Sequence, residues 1–582
     1  MTGPNSANTT STASTQRCQQ VVPKCLILLS LPCKSLPLSL RYAAMDRVLA
    51  RQLVLAAASG LLLPFCFPRF DLGWLAWVVF IPLHLALDQC TRRRAFWIGC
   101  LTGTIGFTGV MAWVVTAMHT YGKVPLPVSY ALLLLLASYL GLYVGLYAAS
   151  VVWVREILPR YGIFFAPSGW VSLELLRTYF LSGLPWCLLG YSQYQQLDLI
   201  QIADHTGVYG VSFLVILVNL AAAELLLWLM PYFRGFRPAK LPWELLTTTA
   251  LLLVLSWVYS ASVLSASGPA VPKSSIGVGV VQPNVDQAVK WDVAFRDDTM
   301  QRFDRLTGQL GAGLDLIVWP EAATPFILER ERDYQVQLIA WMARANAPLL
   351  LGSPALRFYP DRRPYLLNSA YLLAGDGVLL GRYDKHHLVP FGEYIPLKSS
   401  LLFFLDKLVE GIGDFEAGPG ATVLTFTPKG TGDGSSPKPV KFGVAICYEV
   451  IFPDLVRQFA ANGAEFLVTI TNDGWFGHSS APAQHFAMVV FRSVENHLAF
   501  ARSANTGISG FIDPFGRILA ASPLFVEQAL QARIPVWQPR TFYSRNGDVF
   551  AYACVIICAL LCLFALFRPK EPAHGTTAIT PA

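Results

Sequence analysis

Runs of about 20 apolar residues, the length that crosses a bilayer as a helix, recur through the N-terminal half of the chain. One more run lies near the C-terminal end. They predict eight membrane spans, at residues 53–67, 72–88, 96–118, 129–154, 163–181, 207–230, 243–264 and 549–567. The first two runs are short and contain proline, so we expect a hairpin with its turn at Arg69 and Asp71. The pattern therefore predicts a polytopic α-helical membrane domain.

Between the seventh and eighth spans, short β-branched runs alternate with amphipathic segments. The predicted strands lie at 276–285, 314–321, 347–354, 368–375, 442–449 and 464–473, and the predicted helices at 294–312, 330–345, 451–463 and 483–498. This alternation predicts an α/β domain. Residues 428–439, rich in Gly, Pro and Ser, predict an exposed loop.

These patterns divide the chain into five parts. The tail at 1–44 is either disordered or the product of a start assigned upstream of Met45. The other four parts are a membrane domain of seven helices at 45–265, the α/β domain at 275–545, the last membrane helix at 549–567 and a cytoplasmic tail at 568–582.

Composition and charge agree with a membrane protein. Of the 582 residues, 54% are hydrophobic and 14% charged, which is too apolar for a wholly soluble chain. The net charge of +7 arises between the spans, so we expect no nucleic-acid partner. Basic loops at 88–96, 155–162 and 231–240 share one side, which the positive-inside rule makes cytoplasmic. The α/β domain is then extracytoplasmic, and periplasmic in a bacterium.

One pair of charges lies inside the fifth predicted span. Glu174 and Arg177 are three residues apart, on one face of a helix. Charges at membrane depth pair with one another or serve a function. Two interpretations therefore remain open: an ion pair within the bundle, or a direct part in substrate binding.

Reactive side chains follow apolar runs of the α/β domain. Glu321 ends "VWPE", Lys385 lies in "GRYDKHHLVPFGEYIP" with Glu393 eight residues later, and Cys447 lies in "FGVAICYE". A thiolate nucleophile, a carboxylate that moves its proton and an ammonium that stabilises an oxyanion form a complete set for acyl chemistry. Cys447 is the only cysteine between residues 265 and 548, so it has no disulfide partner in the domain. The alternative is a small buried residue packed in a strand.

The histidines of this domain follow no HExxH or Cys/His spacing. We therefore expect ordinary hydrogen-bonding histidines, and neither a metal nor a cofactor. The residues concerned are His386, His387, His478, His485 and His497.

Four motifs together resemble a known family. "VWPE", "DKHHLVPFGEYIP", "ICYEVIFPDLVR" and "TNDGWFGHSSAPAQH" are similar to the carbon-nitrogen hydrolase (nitrilase) superfamily, whose Glu-Lys-Cys triad lies in an α-β-β-α sandwich. Seven spans before the domain and one after it resemble the apolipoprotein N-acyltransferase family in particular. The resemblance covers roughly residues 46–567, and the tail at 1–44 departs from the family.

The resemblance implies a role for each matching residue. Glu321 would be the general base, Lys385 the oxyanion-stabilising ammonium and Cys447 the nucleophile. Supporting positions would be Glu393, Glu449, Tyr448 and Trp291. For Trp291 and Tyr448 the alternative is packing around the pocket.

The resemblance also implies a reaction, in which an acyl chain passes from a phospholipid to the N-terminal amine of a diacylglyceryl-cysteine apolipoprotein. It would proceed by ping-pong through a thioester on Cys447, in the bacterial inner membrane, in a monomer without cofactor. One alternative is a membrane-tethered amidase, in which water accepts the acyl group. Another is a transporter with an appended domain, although no internal repeat is visible.

A further apolar segment follows Glu393. "LKSSLLFFLDKLVEGIG" at 397–413 places Leu402, Phe403 and Phe404 together. The run is either a core helix or an apolar arm that enters the bilayer and gates the lipid substrates. We expect the arm, because the domain must admit two-tailed lipids beside Cys447.

Overall fold

The computed structural model describes residues 38–158, 162–233, 240–270, 274–360, 364–395, 415–429, 437–538 and 540–567. The predicted arm with Leu402, Phe403 and Phe404, residues 1–37 and the tail at 568–582 lie outside the described residues. The chain forms two compact units, Met1–Arg51 and Gln52–Ala582. Helix α1 comprises Leu38–Leu62.

Apolar helices make up the N-terminal half of the described chain. After α1 these are α2 (Ile81–Ala86), α3 (Arg92–Val110), α4 (Trp113–Thr116), α5 (Leu126–Ile157), α6 (Gly162–Tyr179), α7 (Leu197–Ile200), α8 (Ala203–Thr206), α9 (Val208–Phe233) and α10 (Trp243–Ala270). Helices α15 (Phe542–Asn546) and α16 (Val549–Phe567) close the described chain.

Within the described residues, five helical segments are long and apolar enough to cross a membrane. They are Asp46–Cys66, Leu126–Ile157, Val208–Met230, Trp243–Ala266 and Val549–Phe567. The helices Arg92–Val110 and Trp113–Tyr121, bent by 51° at their junction, raise the number to six if they form one span.

The prediction of eight spans is therefore not confirmed. The predicted span at 72–88 contains only a shorter apolar helix, Gly73–Ala86. The predicted span at 163–181 forms α6, where Glu174 and Arg177 lower the mean hydropathy. Both segments nevertheless pack in the bundle, since Phe80 and Val171 are fully buried.

Glu174 and Arg177 do not form the direct ion pair that their spacing allowed. Glu174 Oε1 instead accepts hydrogen bonds from Trp170 Nε1 at 2.9 Å and from the Leu189 amide at 2.7 Å. The Arg177 guanidinium lies over the Phe107 ring, 5.1 Å from its centroid. Both charges line a cavity of about 30 Å³ within the bundle. The indole and the loop amide thus hold one carboxylate oxygen of Glu174.

Within its described residues, the α/β domain contains two six-stranded sheets. The strands are β1 (Ser275–Gln282), β2 (Leu316–Val318), β3 (Leu349–Arg357), β4 (Tyr365–Leu373), β5 (Leu379–Asp384), β6 (Val423–Phe426), β7 (Val440–Ile446), β8 (Phe466–Thr471), β9 (Phe500–Ala504), β10 (Gly510–Ile512), β11 (Ile518–Ala521) and β12 (Gln528–Pro535). The first sheet has the order β12-β1-β2-β3-β4-β5 and the second β11-β10-β9-β8-β7-β6. In both sheets the central pairs, β1–β2–β3 and β7–β8–β9, are parallel.

Helices cover the outer face of each sheet. Helices α11 (Arg296–Gly308) and α12 (Arg332–Ala345) pack on the first, and α13 (Pro453–Ala461) and α14 (Ala481–Asn496) on the second. Successive side chains of a strand point to opposite faces. Alternate residues of β1 therefore pack against the outer helices and against the second sheet. Val281 packs with α11, whereas Val280 faces the second sheet. The domain is therefore an α-β-β-α sandwich, as the resemblance implied.

Helix α14 is buried on every side, since it lies between the second sheet and the membrane helices. Its fully buried Arg492 donates to Glu495 Oε1 at 2.7 Å and to the Tyr191 hydroxyl at 2.9 Å. Glu495 also accepts from the amide of Val208, the first residue of α9, at 3.1 Å. This buried ion pair therefore ties the α/β domain to the membrane domain.

The substitution Arg492→Met should lower the stability of the full chain by about 3–5 kcal/mol, because it leaves Glu495 as an unpaired buried charge. Arg305→Met is the matched control, since it removes an ion pair with Glu527 in which Arg305 is 56% exposed. Such an exposed pair contributes about 1 kcal/mol or less. Thermal unfolding of the detergent-solubilised protein measures both, and equal shifts would contradict the coupling role of Arg492.

Candidate active site

Three strand ends carry the predicted reactive groups to one place. Glu321 follows β2 by three residues, Lys385 comes directly after β5, and Cys447 directly after β7. The charges of Glu321 and Lys385 both act on the Cys447 thiol. The structure thus brings together groups that are 64 and 62 residues apart in sequence, as expected where strands of facing sheets end at one edge.

The Glu321 carboxylate is buried and held from both sides. Its Oε1 accepts from Asn368 Nδ2 at 2.7 Å and from Lys385 Nζ at 3.5 Å. Its Oε2 accepts from the backbone amide of Asn472 at 2.9 Å. These three donors fix the orientation of the carboxylate.

Lys385 and Glu393 form a buried ion pair. Nζ of Lys385, only 1% exposed, lies 2.9 Å from Glu393 Oε1. Glu393 also accepts from Asn368 Nδ2 at 2.9 Å and from the Val389 amide at 2.8 Å. Burial lowers the pKa of Lys385, but Glu393 and Glu321 outweigh burial and hold that pKa above its ordinary value. Lys385 therefore remains an ammonium at neutral pH.

Asn368 was missed in the sequence analysis, although it joins the two carboxylates through one amide nitrogen. It lies in β4 and is the first residue of the strand predicted at 368–375. Asn368 could have been selected as a polar amide within a run of apolar residues. Such a residue is expected to be buried, and buried polar groups need hydrogen-bond partners.

Cys447 is presented by a tight turn. It has φ +52°, in the left-handed region, and begins a short 3₁₀ helix, Cys447–Ile451. Such a conformation costs a non-glycine residue about 1–2 kcal/mol and directs the side chain out of the strand. Burial raises the pKa of the Cys447 thiol, Glu321 raises it further, and Lys385 opposes them. The resting thiol is therefore protonated and needs a base.

His485 holds the main chain of this turn. Its Nε2 lies 3.2 Å from the Cys447 carbonyl oxygen, which only accepts, so Nε2 carries the proton. Its Nδ1 lies 3.1 Å from both Arg502 Nη2 and Asp473 Oδ1, and Arg502 also donates to Asp473 Oδ2 at 2.8 Å. Burial raises the pKa of Asp473, but Arg502 and His485 outweigh it and lower that pKa to about 2. From the membrane side the Trp186 ring stacks on His485.

Asp473 and His485 lie in the motif "TNDGWFGHSSAPAQH", but the sequence analysis assigned no function to either. His485 has hydrogen-bonded partners of the ordinary kind that we expected of these histidines. What it binds, the peptide of Cys447, could not be read from the sequence.

Glu449 braces two segments of the site. It is fully buried and accepts four hydrogen bonds, from the Tyr383 hydroxyl and the amides of His386, His387 and Ile446, at 2.7–3.0 Å. Burial raises the pKa of Glu449, yet all four contacts are donors that suit the carboxylate form. Glu449 thus links the Cys447 turn to the segment that carries Lys385.

The remaining two predicted positions differ in burial, since Tyr448 is half-buried and Trp291 is exposed. The Tyr448 hydroxyl donates to the carbonyl of Gly183, in the loop after α6, at 3.2 Å. Trp291 is 49% exposed. Its neighbour Lys290, which the sequence analysis did not select, is buried with Nζ 3.2 Å from the Glu321 carbonyl oxygen.

A thiol, a fixed carboxylate and a buried ammonium can together form and break a thioester. Their position between the sheets of an α-β-β-α sandwich defines a nitrilase-like domain. Residues 277–539 match the family model described as carbon-nitrogen hydrolase. Residues 59–221 match the model described as apolipoprotein N-acyltransferase N-terminal domain.

Relatives match over nearly the whole chain. An apolipoprotein N-acyltransferase of Geobacter metallireducens is 40% identical over 540 residues, which cover 92% of this chain and 99% of the relative. One of Chlorobaculum tepidum is 32% identical over 571 residues, covering 90% and 99%. The chain therefore belongs to the apolipoprotein N-acyltransferase family. Among solved structures, an amidase from Nesterenkonia sp. is 19% identical over 49% of this chain and 98% of the other, with a TM-score of 0.32.

The substitution Glu449→Gln should destabilise the protein by about 3 kcal/mol or more, because the amide nitrogen would face buried donors. Tyr383→Phe is the matched control, since it removes one of the four donors and should cost about 1–2 kcal/mol. Thermal unfolding in detergent ranks the two variants. A glutamine variant as stable as the phenylalanine variant would exclude the bracing role.

Proposed function

We propose that this protein transfers a fatty acyl chain from a phospholipid to the N-terminal α-amino group of a diacylglyceryl-cysteine apolipoprotein. One observation carries the proposal: the turn that carries Cys447 lies beside the loop that follows α6 of the membrane domain. Residues of the loop after α6 touch it, through Gly183 on Tyr448 and Trp186 on His485. Substrates anchored in the bilayer reach such a site by lateral diffusion. The names of the relatives support the same reaction.

In the first half-reaction Glu321 removes the thiol proton of Cys447, and the thiolate attacks the ester carbonyl of the phospholipid. The Lys385 ammonium stabilises the thiolate and then the oxyanion of the tetrahedral intermediate. As the intermediate collapses, the ester C–O bond breaks and Glu321 gives its proton to the departing lysophospholipid oxygen. The acyl group remains on Cys447 as a thioester.

In the second half-reaction the free α-amine of the apolipoprotein attacks the thioester. Glu321 accepts a proton from the amine nitrogen, the C–S bond breaks, and the proton returns to the Cys447 thiolate. A thioester suits this sequence because amines attack it readily and it persists where water is excluded.

The supporting residues have distinct parts in the proposal. Glu393 holds Lys385 as an ammonium, and Glu449 fixes the turn of Cys447 relative to Lys385. Tyr448 fastens that turn to the membrane domain. Exposed Trp291 is placed to contact a lipid at the rim of the site.

We further propose a bacterial inner-membrane location with the α/β domain on the periplasmic side. The basic loops at 88–96, 155–162 and 231–240 support this orientation. Diacylglyceryl apolipoproteins anchored on that side would then meet the site without crossing the bilayer.

An amidase would use the same side chains but would pass the acyl group to water. The contacts with the loop after α6 favour the lipid reaction, because a hydrolase of small soluble amides has no need of them.

Cys447→Ala should abolish the acyl adduct that forms when the protein is incubated with phospholipid vesicles. Cys447→Ser should nearly abolish it, because a hydroxyl is a much weaker nucleophile without a strong base. Intact-mass analysis detects the adduct, and peptide analysis assigns it to residue 447. An undiminished adduct in the alanine variant would remove Cys447 from the mechanism.

Glu321→Gln should slow formation of this adduct by at least about a hundredfold, the lower range for loss of a general base. The amide keeps the shape of the side chain but cannot take the thiol proton. Single-turnover acylation followed by mass spectrometry measures the effect. Near-normal acylation would assign the proton transfer to another group.

A further inference from the structure

A second lysine lies beside the proposed base, outside the predicted triad. Lys290 is 3% exposed, and its Nζ donates to the main-chain carbonyl of Glu321 at 3.2 Å. Lysine seldom loses solvent to this degree without a specific partner. Lys385 approaches the side chain of the same glutamate, so two ammonium groups flank Glu321.

The loop that carries Lys290 is fastened to strand ends of the second sheet. Asn505, after β9, accepts from the amides of Asn284 and Val285 at 3.0 Å and donates to the Val285 carbonyl at 2.8 Å. Asn472, after β8, donates through Nδ2 to Gln287 Oε1 at 2.6 Å. The ammonium is therefore held in place by the same strand ends that border Cys447.

Lys290 is one of the charged groups that are electrostatically coupled to the Cys447 thiol. Glu321, Asp473 and Lys385 act on Cys447, and Cys447 in turn acts on Lys290. Lys290 is therefore a second ammonium, besides Lys385, whose charge is coupled to that of the sulfur. A positive charge near the thiol favours its ionised form.

The other charged groups nearby have partners of their own. Glu393 is paired with Lys385, Glu449 has its four donors, and Arg502 is paired with Asp473. Asp286 and Asp292, on the loop of Lys290 itself, are exposed to solvent.

We propose that Lys290 is a positioning residue that fixes the main chain of Glu321 and whose ammonium favours the Cys447 thiolate. This inference rests on the proposed function, because it assumes that the thiolate of Cys447 is the attacking group. The nearest alternative is a structural hydrogen bond to the Glu321 carbonyl with no effect on the thiol.

The charge of Lys290 is lost within an accessible pH range. Burial lowers the pKa of Lys290 to about 8, while Glu321 and Cys447 oppose the shift. The ammonium is therefore present below about pH 8 and lost above it. An arginine at this position would stay charged throughout, because its guanidinium titrates only above about pH 12.

The test compares wild type, Lys290→Met and Lys290→Arg across a range of about pH 6 to 10. The main readout is the rate at which iodoacetamide alkylates Cys447, located by peptide mass spectrometry in the full-length protein. At about pH 7 the methionine variant should react roughly tenfold or more slowly than wild type, and the arginine variant at a similar rate to wild type. As the pH rises through 8, the methionine defect should disappear and the arginine variant should exceed wild type.

A methionine defect that is the same at every pH would reduce Lys290 to a structural role and overturn the inference. Equal rates in all three proteins would do so as well. If the methionine variant unfolds, the alkylation rate of the arginine variant divided by that of wild type still tests the inference. Only an effect of charge makes this ratio rise above pH 8.

Acyl adducts from phosphatidylethanolamine vesicles are measured in parallel. Alkylation that follows the expected pattern without any adduct in wild type would refute the proposed function and leave the inference on Lys290 intact.

Discussion

The Lys385 ammonium, shared between the carboxylates of Glu321 and Glu393, is the interaction on which the site depends. Two buried carboxylates this close would otherwise disfavour each other's ionised form. The ammonium and the amide of Asn368 each contact both carboxylates and so hold them together. The ends of β2 and β5 must lie beside the first half of β4 for these contacts to form.

The membrane domain is part of this arrangement. Trp186 stacks on His485, which holds the carbonyl of Cys447, and the buried pair Arg492–Glu495 binds the first amide of α9. A link of this kind holds Cys447 at a constant position relative to the membrane helices.

The sequence contained enough information to locate the main reactive groups. Runs of β-branched residues predict strands, and reactive side chains of α/β domains lie at the carboxyl ends of strands. Glu321, Lys385 and Cys447 were found in this way, and Glu393 by its place eight residues after Lys385. Asn368, Lys290 and the Arg502–His485 contact were not found, because they join residues 17 to 47 positions apart that only the tertiary fold brings together. The spans predicted at 72–88 and 163–181 are not confirmed, because the first segment forms only a short apolar helix and the second carries Glu174 and Arg177.

The fate of the acyl group distinguishes a lipid transferase from a hydrolase. The protein would be reconstituted in vesicles whose phosphatidylethanolamine carries an isotope-labelled acyl chain, with a diacylglyceryl-cysteine peptide that has a free N-terminal amine. Mass spectrometry should find the label in amide linkage on the peptide, together with an equal amount of lysophospholipid. Labelled free fatty acid, released at the same rate with and without the peptide, would contradict the assignment of this protein as an N-acyltransferase.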